Sequence, residues 1–172
     1  MNLIPASMTA LPGVRETLLE LGAGEMGFGG TPFGKGEATL EAYLQSCVDG
    51  PDPAKLKPGI VPQTVYWVVD ESGTAVGMVR VRHCLNEWLL KSGGHIGCYI
   101  RPAWRGKGCG RQALRLALAE LRKLGESRAL LTVREDNAPS IGMIESCGGK
   151  LENTLPDEKT GKGTRRYWID LK

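Results

Sequence analysis

The 172 residues contain no apolar run of about 18, the length a membrane-spanning helix needs, so no membrane partner is expected. The N-terminal stretch MNLIPASMTALPGVR has no basic segment followed by an unbroken apolar core, and no signal peptide is expected. The five cysteines (Cys47, Cys84, Cys98, Cys109 and Cys147) are scattered and include no Cys-x-x-Cys pair. A disulfide framework and a zinc site are thereby disfavoured; no metal is expected, and a reducing cytoplasm is the expected setting. Like charges form no block, and the surplus of 22 basic over 19 acidic residues leaves a net charge of only +3. That is too small a bias to argue for nucleic acid. No internal repeat is present.

What the chain has in excess is glycine, 24 residues of it. Many lie in LGAGEMGFGGTPFGKG, from Leu21 to Gly36, which reads as a long loop. Loops of that length in compact domains are functional or mobile. With 41% apolar and 24% charged residues, the remainder has the composition of one ordinary domain spanning 1–172.

Periodicity places the other elements. A short helix is predicted over Leu11 to Leu21, and a second where Leu40, Tyr43, Leu44 and Cys47 share a face. TVYWVVD and TAVGMVRVRH, separated by ESG, predict an antiparallel hairpin. CLNEWLLKSGG has no clear period and is read as a connection. HIGCYIRP is a strand stopped by Pro102. Leu114, Leu118, Leu121 and Leu124 then form the stripe of an amphipathic helix ended by Gly125. RALLTVRE predicts a buried strand, APSIGMIESCGG a helix with Asn137 near its N-cap, and the C-terminal segment two strands around a polar loop. The fold class is α+β, with one central, mostly antiparallel sheet flanked by helices.

Between a strand and a helix lies RPAWRGKGCGR, with three glycines and four basic residues. A helix N-terminus presents unpaired N–H groups and partial positive charge, and glycines ahead of it let a phosphate approach the backbone. Gly106, Gly108 and Gly110 are so placed, which suits a pyrophosphate. A phosphate loop of the Walker type is excluded, because neither its spacing nor a following Ser or Thr is present. Gly108-x-Gly110-x-x-Ala113 matches a dinucleotide fingerprint formally, but no acidic residue ends the next strand at the required distance.

YIRPAWRGKGCGRQALRLAL resembles the acyl-CoA-binding motif of the GNAT N-acetyltransferases, whose signature is Gln/Arg-x-x-Gly-x-Gly/Ala. Arg105, Gly108 and Gly110 fill it. Asn137-x-x-Ser140 and a helix ending at Gly148 resemble the family's second motif, so the likeness covers residues 64–171. RHCLNEWLLKSGGHIGCYIRP with RRYWIDL is further similar to a group of predicted bacterial acetyltransferases of unnamed substrate. The resemblance implies a splayed strand pair that admits acyl-CoA, with acetyl-CoA as co-substrate. Main-chain atoms of Cys98, Tyr99 and Ile100 would line the pantetheine arm. Arg105, Gly106, Lys107, Gly108, Cys109, Gly110 and Arg111 would surround the pyrophosphate, with Asn137 and Ser140 approaching from the neighbouring helix. Residues 1–63 would serve the acceptor.

The implied reaction is direct attack of a primary amine on the thioester in a ternary complex. The tyrosine that usually protonates the leaving thiolate is replaced by Ile144, which leaves Tyr99 and Tyr167 as candidate acids. His95 is a candidate base, because an unperturbed histidine titrates near neutrality; His83 and Glu87 are read as strand-end and connector residues. Phe28, Phe33 and Trp88 could cover a small-molecule acceptor, and Trp104 could reach the adenine side. The missing tyrosine keeps a non-catalytic acyl-CoA-binding module open as an alternative, as the motif alone keeps a protein-amine acceptor open. A homodimer is common among relatives, and no residue pattern here decides it.

Overall fold

A computed structural model describes residues 1–157 and 161–171. Its first sheet is built on the expected hairpin, β4 (Gln63–Val69) and β5 (Ala75–Arg82). The turn between them is held by Asp70, whose carboxylate accepts from the backbone N–H groups of Ser72 and Thr74 at 2.9 and 3.0 Å. On one side β4 pairs with β1 (Asn2–Pro5), a strand that the sequence pattern did not announce. On the other, β5 pairs with β6 (Ile96–Ile100), completing the order β1-β4-β5-β6. A second sheet has the order β7-β9-β8, formed by Arg128–Arg134, Gly163–Asp170 and Lys150–Pro156. All these pairings are antiparallel.

Each face of the first sheet buries its own cluster. Helix α4 (Cys109–Lys123) lays Ala113, Leu114, Ala117, Leu118 and Leu121 against Val79, Val81, Ile96 and Ile100. Each such leucine contributes roughly 2 kcal/mol of burial free energy. Leu124, expected on the same stripe, instead follows the helix end and stays exposed. The opposite face, with Val65, Trp67, Met78 and Tyr99, is covered by α1 (Val14–Leu21) and α2 (Leu40–Asp49). Thr39 caps α2 by accepting from the Ala42 N–H. The unassigned connection forms a short helix, α3 (Glu87–Lys91), capped by Asn86. Helix α5 (Ala138–Ser146) packs beside α4.

The glycine-rich segment is folded rather than loose. It holds a small hairpin, β2 (Gly24–Glu25) and β3 (Phe28–Gly29), lying on the α1/α2 face of β6. A Cβ on Gly30 would sit 2.3 Å from the Gly22 carbonyl oxygen, and one on Gly34 2.5 Å from that of Leu18. The glycines are there because the segment folds tightly on itself and on α1.

The mostly antiparallel sheet parts between β6 and β7, where the resemblance implies a splayed strand pair. These strands are joined by the crossover helix α4, the connection a parallel pair requires. They meet at their N-terminal ends, where His95 N–H donates to the Leu130 carbonyl at 2.7 Å. Among the described residues no ladder bonds Ile96–Ile100 to β7. The strands open towards the loop that precedes α4.

Candidate active site

The loop at the mouth of this opening has the properties of an anion cradle. Gly108 is the N-cap of α4, in the left-handed conformation at φ 79°, and provides no side-chain cap. Among the described residues, the N–H groups of Gly106 through Arg111 make no backbone hydrogen bond. Six consecutive donors at a helix N-terminus suit a doubly anionic diphosphate. A Cβ at Gly106 or Gly108 would meet nothing within 4 Å, so the space over these donors is open. Gly110 serves packing instead: its Cβ would lie 3.0 Å from the Met143 sulfur, where α5 crosses α4. Lys107 is turned back to the Ala103 carbonyl at 2.9 Å, and Cys109 is buried against the α4 cluster.

The flanking residues complete the walls. Cys98, Tyr99 and Ile100 form the edge of β6 along the opening. Burial, with Cys147 nearby, pushes the Cys98 thiol up to about 12, so it remains protonated and inert at neutral pH. On the far side Asn137 caps α5, its carbonyl oxygen accepting from the Ser140 N–H at 3.3 Å. Its side-chain NH2 has no acceptor among the described residues, and neither has the Ser140 hydroxyl.

The comparisons with known proteins bear on this arrangement. The model of the acetyltransferase (GNAT) family matches residues 37–149, more than half of the chain and all of the opening between β6 and β7. The chain belongs to the GNAT acetyltransferase family. Among solved structures, a ribosomal-protein-alanine N-acetyltransferase from Brucella melitensis is 16% identical, with 99% of this chain and 100% of that one covered and a TM-score of 0.69. A spermidine N-acetyltransferase from Vibrio cholerae is 19% identical over 99% and 95%, with a TM-score of 0.67. YncA of Salmonella typhimurium, solved with its cofactor acetyl-CoA, is 21% identical, with a TM-score of 0.52; the alignment spans 64% of this chain and 65% of that one. These likenesses speak to the fold. The search of curated proteins gives no match.

Within this GNAT fold, two of the three expected catalytic side chains are placed elsewhere. His95 lies at the closed end, 4% exposed, with its Nδ1 accepting the Leu130 N–H at 2.9 Å. Its ring stands where a ladder carbonyl would otherwise accept, which is why the strands stay joined at this point. Nε2 faces Glu126 at 3.9 Å, in a 260 Å³ recess with Arg128 and Trp168, away from the mouth. Burial, then the Arg82 charge, lowers the His95 pKa to about 4. A neutral ring tied to backbone does not fit the expected base. His95 holds the strand junction.

This assignment has a pH signature. Depressing the folded-state pKa from 6.5 to about 4 makes the unfolded state bind the proton more readily. Stability is then lost as pH falls from 6.5 towards 4, by up to ~3 kcal/mol. His95→Gln is expected to flatten that part of the curve of unfolding free energy against pH, measured by urea denaturation. A base in the opening would instead show itself only in the rate profile.

Tyr167 lies on β9, one strand beyond β7. Its hydroxyl donates to Glu145 Oε1 at 2.9 Å and accepts from Arg165 at 3.4 Å. These bonds tie β9 to α5, and the proton is committed to a carboxylate, so Tyr167 does not fit the expected acid. Ile144 is buried against Gly149, which leaves no titratable group at that position. His83 is bound to the Thr64 hydroxyl at 2.8 Å, Glu87 begins α3, and Trp88 is exposed. Trp104 lies under the Arg101 guanidinium, and Phe33 under that of Arg15.

Tyr99 lies on β6, the strand that borders the opening. Its side chain is 4% exposed beneath the β2–β3 hairpin, with ring centroids 6.2 Å from Phe28 and the Arg105 guanidinium 5.6 Å from the ring. Its hydroxyl is buried and makes no hydrogen bond. Burial raises the Tyr99 pKa, and the group stays protonated at neutral pH.

Two ion pairs that no local pattern announces fasten α1 and the β2–β3 hairpin to the segment leading into the anion loop. Arg105 makes a bidentate pair with Glu25 at 2.7 and 2.6 Å while its Nε donates to the Ile100 carbonyl at 2.8 Å. Arg101 does the same with Glu20 at 3.0 and 2.5 Å. The arginine hydrogen bonds hold both carboxyls below their usual range. Each glutamate is about 80 positions from its partner, so no local spacing could reveal them. Among the described residues no group of three or more His, Cys, Asp or Glu side chains could hold a metal. No described helix is long and apolar enough to cross a membrane.

Proposed function

We propose that this chain transfers the acetyl group of acetyl-CoA to the primary amine of a small molecule, by direct attack in a ternary complex. The observation that carries the reading is the run of unpaired amides at Gly106–Arg111, placed at the mouth of the opening between β6 and β7. Acetyl-CoA in the related YncA structure supports the choice of donor. Arg105, Gly106, Lys107, Gly108, Cys109, Gly110 and Arg111 surround the diphosphate. Main-chain atoms of Cys98, Tyr99 and Ile100 line the pantetheine arm, and the Asn137 amide and Ser140 hydroxyl approach from α5. Residues 1–63 supply the acceptor side, with Phe28 lying over Gly97.

In the reaction the neutral amine nitrogen attacks the thioester carbon; a C–N bond forms and the C–S bond breaks. The amine loses one proton and the departing thiolate gains one. A thiolate with a parent pKa near 8.5 is a tolerable leaving group, so the demand on an acid is modest. We assign that role to Tyr99, on the strand that borders the opening: the hydroxyl is protonated and makes no hydrogen bond, and it donates to the developing charge.

The test is release of free CoA from acetyl-CoA with a panel of primary amines, followed with a thiol reagent. Amine-dependent release with formation of the acetylamide is the expected result. Acetyl-CoA that binds but is never turned over with any amine would make the chain a binding module. No binding of acetyl-CoA at all would overturn both readings.

A further inference from the structure

The acceptor face of the first sheet is cationic where it meets the hairpin. Arg80 on β5 stands directly opposite Gly97 on β6, about 5 Å away across the ladder. Its guanidinium stacks on the Phe28 ring at 4.6 Å and reaches the Gly30 carbonyl only at 3.4 Å. Arg82, two residues on, is spent on the Gly93 and Gly94 carbonyls at 3.1 and 2.9 Å. Among the described residues neither arginine has a carboxylate within ion-pair distance. The nearby acids are already taken, Glu20 by Arg101 and Glu25 by Arg105.

Arg80 lines a cleft of 290 Å³ between the Gly30–Pro32 segment, α2 and β4. Tyr43 projects from α2 into the same cleft; it is 6% exposed, and its hydroxyl is buried with no hydrogen-bond partner. An unpaired guanidinium and an orphaned phenol converging on one small cleft each lack the same thing, an anionic acceptor of hydrogen bonds. A buried donor without a partner costs about 1–3 kcal/mol, and a carboxylate would satisfy both groups at once. The cleft has room for such a head group.

We infer that this cleft binds the carboxylate, or a like oxyanion, of the acceptor, so that the acetylated amine belongs to an amino-acid-like molecule. The inference rests on the acetyltransferase reading above and narrows it. In this arrangement Arg80 and Tyr43 hold the anionic end, and the amine reaches past Phe28 to the opening at Gly97. A polycationic amine such as a polyamine would meet Arg80 and Arg82 with no free carboxylate to offset them. The cleft therefore also selects against that class.

The experiment compares L-amino acids, the same amino acids as carboxamides, and spermidine as acceptors in the CoA-release assay. Removing the carboxylate charge is expected to lower kcat/KM by about 30-fold or more, the range for truncating one partner of a buried charge pair. Arg80→Gln should raise KM for the amino acid by a similar factor with kcat within about 3-fold, and Arg80→Lys should restore part of the loss. Equal use of acid and carboxamide, or preference for spermidine, would overturn the inference. Calorimetry of the same compounds with CoA-loaded wild-type protein separates this from catalysis. Amino-acid binding that Arg80→Gln abolishes upholds the anion site even where no CoA is released, and that result would count against turnover alone. Failure of every carboxylate amine to bind CoA-loaded protein would overturn the site itself.

Discussion

Gly108→Val is expected to raise the dissociation constant for acetyl-CoA by about 100-fold or more, equivalent to ~3 kcal/mol. Two effects act together. Gly108 holds φ 79°, a conformation that costs an L-residue about 1–2 kcal/mol and a β-branched residue more. Its Cβ would also project into the open space above the unpaired amides, where a phosphate oxygen must come within hydrogen-bond distance. Since that Cβ would touch nothing within 4 Å, the fold pays only the backbone strain. The expected fall in melting temperature is therefore modest, roughly 2–8 °C. Gly110→Leu is the contrasting variant, because it would press into the Met143 sulfur and part α4 from α5. Loss of binding with a preserved melting transition in Gly108→Val places the effect in the loop. Unchanged affinity would remove the pyrophosphate from it.

Tyr99→Phe is expected to lower kcat by about 100-fold while leaving the dissociation constant for acetyl-CoA within about 3-fold. The hydroxyl is protonated and makes no hydrogen bond, whereas His95 and Tyr167 are held in bonds of their own. A purely structural tyrosine makes the opposite prediction. Because the buried hydroxyl has no partner, removing it should leave stability unchanged or raise it slightly. A fall in kcat with an unaltered melting temperature thus reads as chemistry. Unchanged kcat would return Tyr99 to the packing of Phe28 and Met78.

The parts of this account that were legible in the sequence are those carried by local spacing. The stripe from Ala113 to Leu121, the Asp70 turn and the glycines before α4 each express their structure within a few neighbouring residues. So does the Asn137 cap. What could not be read are relations across the chain. β1 is four residues ending in proline and becomes a strand only because β4 offers it an edge. The junction that keeps the two sheets together at the closed end depends on the His95 ring accepting the Leu130 N–H, a side-chain substitution for a ladder bond that no pattern encodes. The same burial that makes this possible removes His95 from acid–base work. Glu20 and Glu25 look like ordinary surface acids until the fold brings Arg101 and Arg105 to them. Arg80 did leave a trace: in AVGMVRVR a basic residue recurs at alternate positions of an otherwise apolar strand. Such a pattern puts charge on a half-buried face and signals a site that uses it.

The central claim is that the free amides of Gly106–Arg111 hold the diphosphate of the acyl donor. It is tested most directly by calorimetric titration of the wild-type protein with acetyl-CoA and with acetyl-pantetheine, which carries the same thioester and arm but lacks the nucleotide and diphosphate. Tighter binding of acetyl-CoA, by about 100-fold or more, together with an affinity gap that closes in Gly108→Val, is the predicted result. Equal affinity for the two thioesters in the wild-type protein would contradict the account.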